Sequence, residues 1–123
     1  MTPELLNDTL EKMFHEPNRL SIMTELCAEN AGVSFGELKQ RCNLTDGNLN
    51  RHLKVLEDCG AVKITKEFID NKPRTTIFIT KTGFLRFNDY LQALSDVLNK
   101  ARKAMPKENK AGVRMFKVIK ATV

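Results

Sequence analysis

At 123 residues, 41% hydrophobic and 28% charged, the chain suits one globular domain that can bury a core without disulfides or a metal. No run approaches the ~20 apolar residues that a membrane span needs, and Met1-Thr2-Pro3-Glu4 lacks the basic-then-apolar order of a secretion signal. The net charge of +5 is unevenly placed, with 4 Lys/Arg against 7 Asp/Glu in residues 1–43, 7 against 5 in 44–81 and 9 against 3 in 82–123, an asymmetry that favours a polyanionic partner.

Thr2 and Pro3 open a first helix, Thr2 as cap and Pro3 at the first helical position, where its missing N–H costs nothing. Leu5, Leu6, Leu10 and Met13 fall on one face of it. His15-Glu16-Pro17-Asn18 interrupts the helix and starts another, because proline disfavours helix at the residue before it. In the second helix Leu20, Met23 and Cys27 share a face, flanked by Ile22, Leu26 and Ala28, and Asn30-Ala31-Gly32 ends it. Ser34-Phe35-Gly36-Glu37 has the spacing of a capping box. A short third helix follows, with Phe35, Leu38 and Cys42 inward, and Asn43-Leu44 makes a tight turn.

Thr45 caps a fourth helix over about 45–58, with Asp46 in the first turn, where negative charge suits the helix dipole. Leu49, Leu53 and Leu56 recur at helical spacing, and Gly60 closes the helix. The period then changes to two over about 61–80. Val62, Ile64, Lys66 and Phe68 alternate with Lys63, Thr65 and Glu67. After the turn cluster Asp70-Asn71-Lys72-Pro73, Thr75, Ile77 and Ile79 alternate with Thr76, Phe78 and Thr80, which reads as a β-hairpin. Thr80 or Thr82 starts a long last helix, about 82–104, that ends before Pro106. Two helices joined by a very short turn and followed at once by a hairpin describe a winged helix-turn-helix. The expected fold is mainly α with a small β-hairpin wing.

Cys27, Cys42 and Cys59 are odd in number, far apart and without a CxxC pair. They read as reduced cytoplasmic thiols rather than as a disulfide framework or a zinc ribbon.

Leu44-Thr45-Asp46-Gly47-Asn48-Leu49, Arg51-His52-Leu53, Leu56-Glu57 and Gly60-Ala61-Val62 together resemble the recognition helix and first wing strand of MarR/ArsR-like winged-helix transcriptional regulators. Asn18-Arg19-Leu20-Ser21-Ile22 and Ser34-Phe35-Gly36-Glu37-Leu38 resemble the two helices before it. Lys66-Glu67-Phe68, Pro73-Arg74-Thr75 and Ile79-Thr80-Lys81-Thr82-Gly83 resemble the wing and its exit into the dimer helix. The match covers about residues 4–100. It implies a dimeric DNA-binding regulator. ArsR-type metal sensors carry clustered cysteines on the helix before the recognition helix, where this chain has only Cys42. Metal sensing is therefore not implied, and no metal or cofactor is expected. The short chain leaves little room for a separate effector domain, and any small-molecule effector is unspecified.

In a helix-turn-helix the second helix enters the major groove. Its polar face here offers Asn48, Asn50 and Arg51 for base edges, since Asn pairs with adenine and Arg with guanine in bidentate fashion. Thr45 and Lys54 suit phosphates, and Gly47 lets the backbone approach DNA closely. His52 has two readings: near the DNA backbone, as the resemblance implies, or packed and satisfied at the edge of the buried stripe. Lys72 and Arg74 would form a basic wing tip over the flanking minor groove.

From Phe84 the apolar residues Phe84, Phe87, Leu91, Leu94, Leu98 and Ala101 follow steps of three and four, a coiled-coil seam. Pairing this helix with its copy, with Leu6 and Leu10 of the first helix alongside, would bury both stripes. The domain assignment is residues 1–104 for DNA binding and dimerisation. Residues 105–123 are a basic extension, either touching DNA or the dimer or forming a tail without fixed packing. No nucleophile–base–orienter set or phosphate-cradling glycine loop suggests an enzyme. The alternative to a homodimer on double-stranded DNA, at a pseudo-palindromic site, is a winged-helix module that binds protein within a larger assembly.

Overall fold

A computed structural model describes residues 11–106. In order these form α1 (Pro17–Cys27), β1 (Val33–Ser34), α2 (Phe35–Cys42), α3 (Asp46–Asp58), β2 (Val62–Ile69), β3 (Lys72–Ile79) and α4 (Lys81–Ala104). The opening helix expected from Thr2, with Leu6 and Leu10, lies outside the described residues apart from its end. There Met13 sits in a turn rather than a helix.

Each helix starts where a side chain can satisfy its free N–H groups. Glu16 accepts from the Arg19 N–H at 2.8 Å, and Pro17 occupies the first turn of α1. Ser34 accepts from the Glu37 N–H at 3.2 Å for α2, and Thr45 from the Asn48 N–H at 3.2 Å for α3. Thr80 accepts from the Gly83 N–H at 2.9 Å ahead of α4. The ends of the helix pair are equally defined. Asn43 takes a left-handed φ of 53° after α2, and Leu44 N–H donates to the Lys39 carbonyl. Gly60 does the same after α3 with φ 79°, while Gly60 and Ala61 N–H donate to the Glu57 and Leu56 carbonyls in the double bond of a Schellman stop.

β2 and β3 pair antiparallel with Val62 opposite Ile79, Ile64 opposite Ile77 and Phe68 opposite Pro73. The turn between them is shorter than the sequence implied. Only Asp70 and Asn71 turn the chain, both at positive φ, and Lys72 and Pro73 already belong to β3. Two such residues give a turn whose twist matches the strands, and Asp and Asn tolerate that conformation better than other side chains. The two-residue β1, not foreseen from the sequence, adds to β3 through Val33 opposite Ile77, giving the sheet order β1-β3-β2.

The core joins Ile22, Met23 and Leu26 of α1, Leu38 of α2, Leu49, Leu53 and Leu56 of α3, and Val33, Val62 and Ile77 of the sheet, all at most 3% exposed. Phe35 and Cys42 are only half-buried, so Leu38 alone carries the inner face of α2. A second cluster ties residues 11–15 to the first turns of α4. The Phe14 ring meets Phe87 edge-on at 5.3 Å, and Phe87 stacks on Tyr90 at 6.0 Å. The Tyr90 hydroxyl lies 2.9 Å from His15 Nδ1. Arg86 donates to both Glu11 carboxylate oxygens at 3.2 and 2.7 Å and to the Cys59 carbonyl at 2.9 Å. Gly83 is required by contact, because a Cβ there would collide with the Ala61 backbone.

The chain divides into two compact units at Ala93 and Leu94. The described part of the second is helical to Ala104, with Leu94 and Val97 half-buried and Leu98 47% exposed. Of the basic extension only Met105 and Pro106 are described, both exposed. Among the described residues no helix is long and apolar enough to cross a membrane.

Candidate nucleic-acid interface

The strongest candidate site is α3. At 100° per residue, Leu49, Leu53 and Leu56 face inward, and all are at most 2% exposed. Gly47, Arg51 and Lys54 fall on the opposite side, and Asn48 and Asn50 flank them, all exposed. The structure therefore brings together five of the residues singled out for DNA, with Thr45 exposed at the helix start. Arg51 Nη2 donates to Asn48 Oδ1 at 3.4 Å, so two of the three candidate base readers lie side by side. Lys54 pairs with Asp58 at 3.2 Å on the open surface, an exposed pair worth little and readily exchanged for another anion. A Cβ on Gly47 would meet nothing within 4 Å, so the fold itself does not require glycine there.

Of the two readings of His52, the structure takes the packed one: the ring is 4% exposed, not laid open on the DNA-facing side of α3. Arg19 Nη1 donates to His52 Nδ1 at 3.1 Å, and the Asn18 side-chain amide lies 3.5 Å from Nε2. A guanidinium only donates, so Nδ1 must accept and the neutral ring carries its proton on Nε2. Arg19 also donates through Nε to the Met13 carbonyl at 2.7 Å, and Glu16 stands 3.7 Å from Nδ1. Burial, with the charges of Arg19 and Arg51, holds the His52 pKa below its ordinary value despite the opposing pull of Glu16. Burial also pushes Glu16 upward, but backbone hydrogen bonds from Arg19 and Asn18 and the charges of His52 and Arg19 outweigh it and leave the carboxyl low. The sequence reading missed this group. Its only local signal was Glu16 immediately before Pro17, the position of a helix cap.

Beside α3 runs an open groove of about 790 Å³. Leu53, Ile64 and Phe35 line it on the apolar side, and Asn50, Lys54, Lys66, Thr75 and the carboxylate of Glu57 on the polar side. It separates the helix from the wing. Lys72 and Arg74 are both exposed on β3 rather than in the turn, Lys72 directly after Asp70-Asn71 and Arg74 two residues further on. Among the described residues the most exposed large apolar side chain is Phe68, at 79%, which the sequence placed in the wing without a contact of its own.

The seam assigned to the last helix divides. Phe87 is 2% exposed and packs on Phe14 and Tyr90 of its own chain, so it is not free for a second copy. Phe84 at 50% and Leu91 at 41% remain exposed. Burial raises the pKa of the Cys27 and Cys42 thiols above the ordinary value, which favours the protonated form.

The chain matches the winged helix DNA-binding domain family over residues 18–98. It is 40% identical over 80 residues to an uncharacterized protein of Methanocaldococcus jannaschii, across 65% of this chain and 86% of that one. Among solved structures it is similar to a transcriptional regulator homologue from Pyrococcus horikoshii OT3, with 32% identity, 81% of this chain and 98% of that one covered, and a TM-score of 0.73. MarR shares the fold at 16% identity and a TM-score of 0.67, over 97% of this chain and 86% of that one.

Proposed function

The chain belongs to the winged helix DNA-binding domain family and has a MarR-like fold, and from that premise we propose that it regulates transcription as a homodimer reading a pseudo-palindromic DNA site. One observation carries the reading. α3 buries its whole apolar stripe while Asn48, Asn50 and Arg51 stay exposed beside Gly47 and Lys54. A helix anchored on one side and polar on the other can enter the major groove, with Asn and Arg on base edges. Thr45 and Lys54, with Lys72 and Arg74 on the wing, suit phosphates or the flanking minor groove.

The dimer half of the proposal rests on Phe84 and Leu91, which α4 leaves exposed. A two-fold axis through that helix would set two recognition helices about one DNA turn, ~34 Å, apart. No step of catalysis is assigned.

Anisotropy titration against genomic fragments tests the reading. Affinity should fall steeply with salt as phosphate contacts release counterions. Arg51→Ala should relax sequence preference, whereas Lys72→Ala should weaken all sequences alike. Equal affinity for every duplex would contradict specific recognition. A monomer without DNA affinity at moderate salt would favour a protein-binding role instead.

A further inference from the structure

The hairpin leaves its largest apolar side chain in solvent near the tip. Phe68 is 79% exposed, and its cross-strand partner is Pro73. Residues opposite each other in an antiparallel pair project from the same face, so the two rings stand side by side. Alternation puts the Lys66–Thr75 and Ile64–Ile77 pairs on that face too. Ile64, Lys66 and Thr75 line the groove against Asn50 and Lys54 of α3. Phe68 and Pro73 thus continue the helix-facing side of the wing outward, about 7 Å past Lys66 at about 3.4 Å per residue. Lys72 and Arg74 lie on the opposite face, with Glu67 and Ile69. The fold gives no reason for a phenylalanine here. The Asp70-Asn71 turn already sets the register, and among the described residues Phe68 stands outside the core.

We propose that Phe68, backed by Pro73, is an apolar wedge that enters the minor groove of duplex DNA, partly unstacks a base step and bends the duplex. The proposal rests on the DNA-binding reading above and adds a mode of recognition to it. Minor-groove proteins insert Phe or Pro between base steps and kink the duplex by about 20–90°. The two-stranded ribbon tip carries cations on both faces, Lys66, Lys72 and Arg74 against Glu67 and Asp70, which leaves it net positive. Lys66 on one side, and Lys72 and Arg74 on the other, can hold the two phosphate backbones while the rings enter between them. Continuity with the groove beside Asn50 and Lys54 favours DNA over a second copy of the chain as the occupant. Specificity at the wing would then come from deformability, with TA or CA/TG steps beneath Phe68, because those steps unstack most easily.

The test uses the full chain and the duplex recovered by selection from random sequence. Donor and acceptor dyes on the duplex ends report bending, and a fluorescent adenine analogue at the flanking steps reports unstacking. The wild type should bend the duplex and brighten the analogue. Phe68→Ala should bind about tenfold more weakly, the scale of one lost base–aromatic contact, with less bend and no brightening. Phe68→Leu, still an apolar wedge, should keep most of the bend. Unchanged affinity and bend in Phe68→Ala would overturn the proposal. So would a change in sedimentation mass, which would assign the surface to a second copy. A wild type that binds tightly to a straight duplex removes the wedge alone. A wild type that binds no duplex removes the DNA-binding reading itself.

Discussion

Two helices of this protein carry apolar stripes of similar spacing and meet different fates. In α3 the stripe Leu49, Leu53 and Leu56 is buried to within 2%. In α4 the stripe is split between Phe87, with its neighbour Tyr90, which close the chain's own core, and Phe84 and Leu91, which remain about half exposed. Periodicity names a face but not what covers it. The leftover after folding carries the functional information: on α3 it is polar apart from Val55 and suits DNA, and on α4 it includes Phe84 and Leu91 and suits a second copy.

That contrast can be broken from the α3 side with the largest effect. Leu49→Ala removes a fully buried anchor and should cost about 2–5 kcal/mol in chemical denaturation. A cost below that range would mean that the stripe does not hold the helix.

His52→Gln is the next largest. It disturbs the Arg19 contact and should cost about 1–3 kcal/mol, the range for a disrupted buried polar contact. It should also change the pH profile. Folding keeps His52 neutral and holds its pKa below the ordinary 6.5, so the unfolded chain binds the proton more readily. Stability is complete above about pH 6.5 and falls as pH drops through 6.5 toward the lower folded value. Glu16 adds a second loss below its ordinary 4.5, because its folded pKa is also lowered. Denaturation midpoints against pH should show the upper decline in the wild type and not in His52→Gln.

Gly47→Ala sharpens the comparison with a smaller change of opposite sign. A Cβ there meets nothing, so the free protein should gain about 0.5 kcal/mol from helix propensity. DNA affinity should fall if the α3 backbone approaches the duplex at this point. Leu91→Asp should have the smallest effect on the fold, within about 0.5 kcal/mol for an exposed position. Circular dichroism should stay unchanged while the sedimentation mass drops to that of one chain.

Much of this architecture was legible in the residues because local chemistry and packing agree. Ser34, Thr45 and Gly60 each sit where the sequence placed a cap or stop, and the alternation of β2 and β3 survives in their register. The exposed polar face of α3 was also legible, since helical spacing fixes what lies away from Leu49, Leu53 and Leu56. What escaped depends on partners distant in sequence. His52 became a buried clamp because Arg19, thirty-three positions away, supplies its donor. Phe87 joined the core because residues 11–15 fold back onto α4, placing Phe14 against it. β1 is two residues long and exists only through its pairing with β3, so no periodicity could announce it. The wing tip shifted because Lys72 and Pro73, which look like turn residues, were needed as strand once Asp70 and Asn71 alone could turn the chain.

The central claim is that two copies of the exposed α3 face read one duplex. Sedimentation of the protein with a duplex selected from genomic fragments tests it most directly. The account predicts two chains bound per duplex, with the complex lost on scrambling the site or raising the salt. A single chain per duplex, or equal binding to the scrambled sequence, would contradict it.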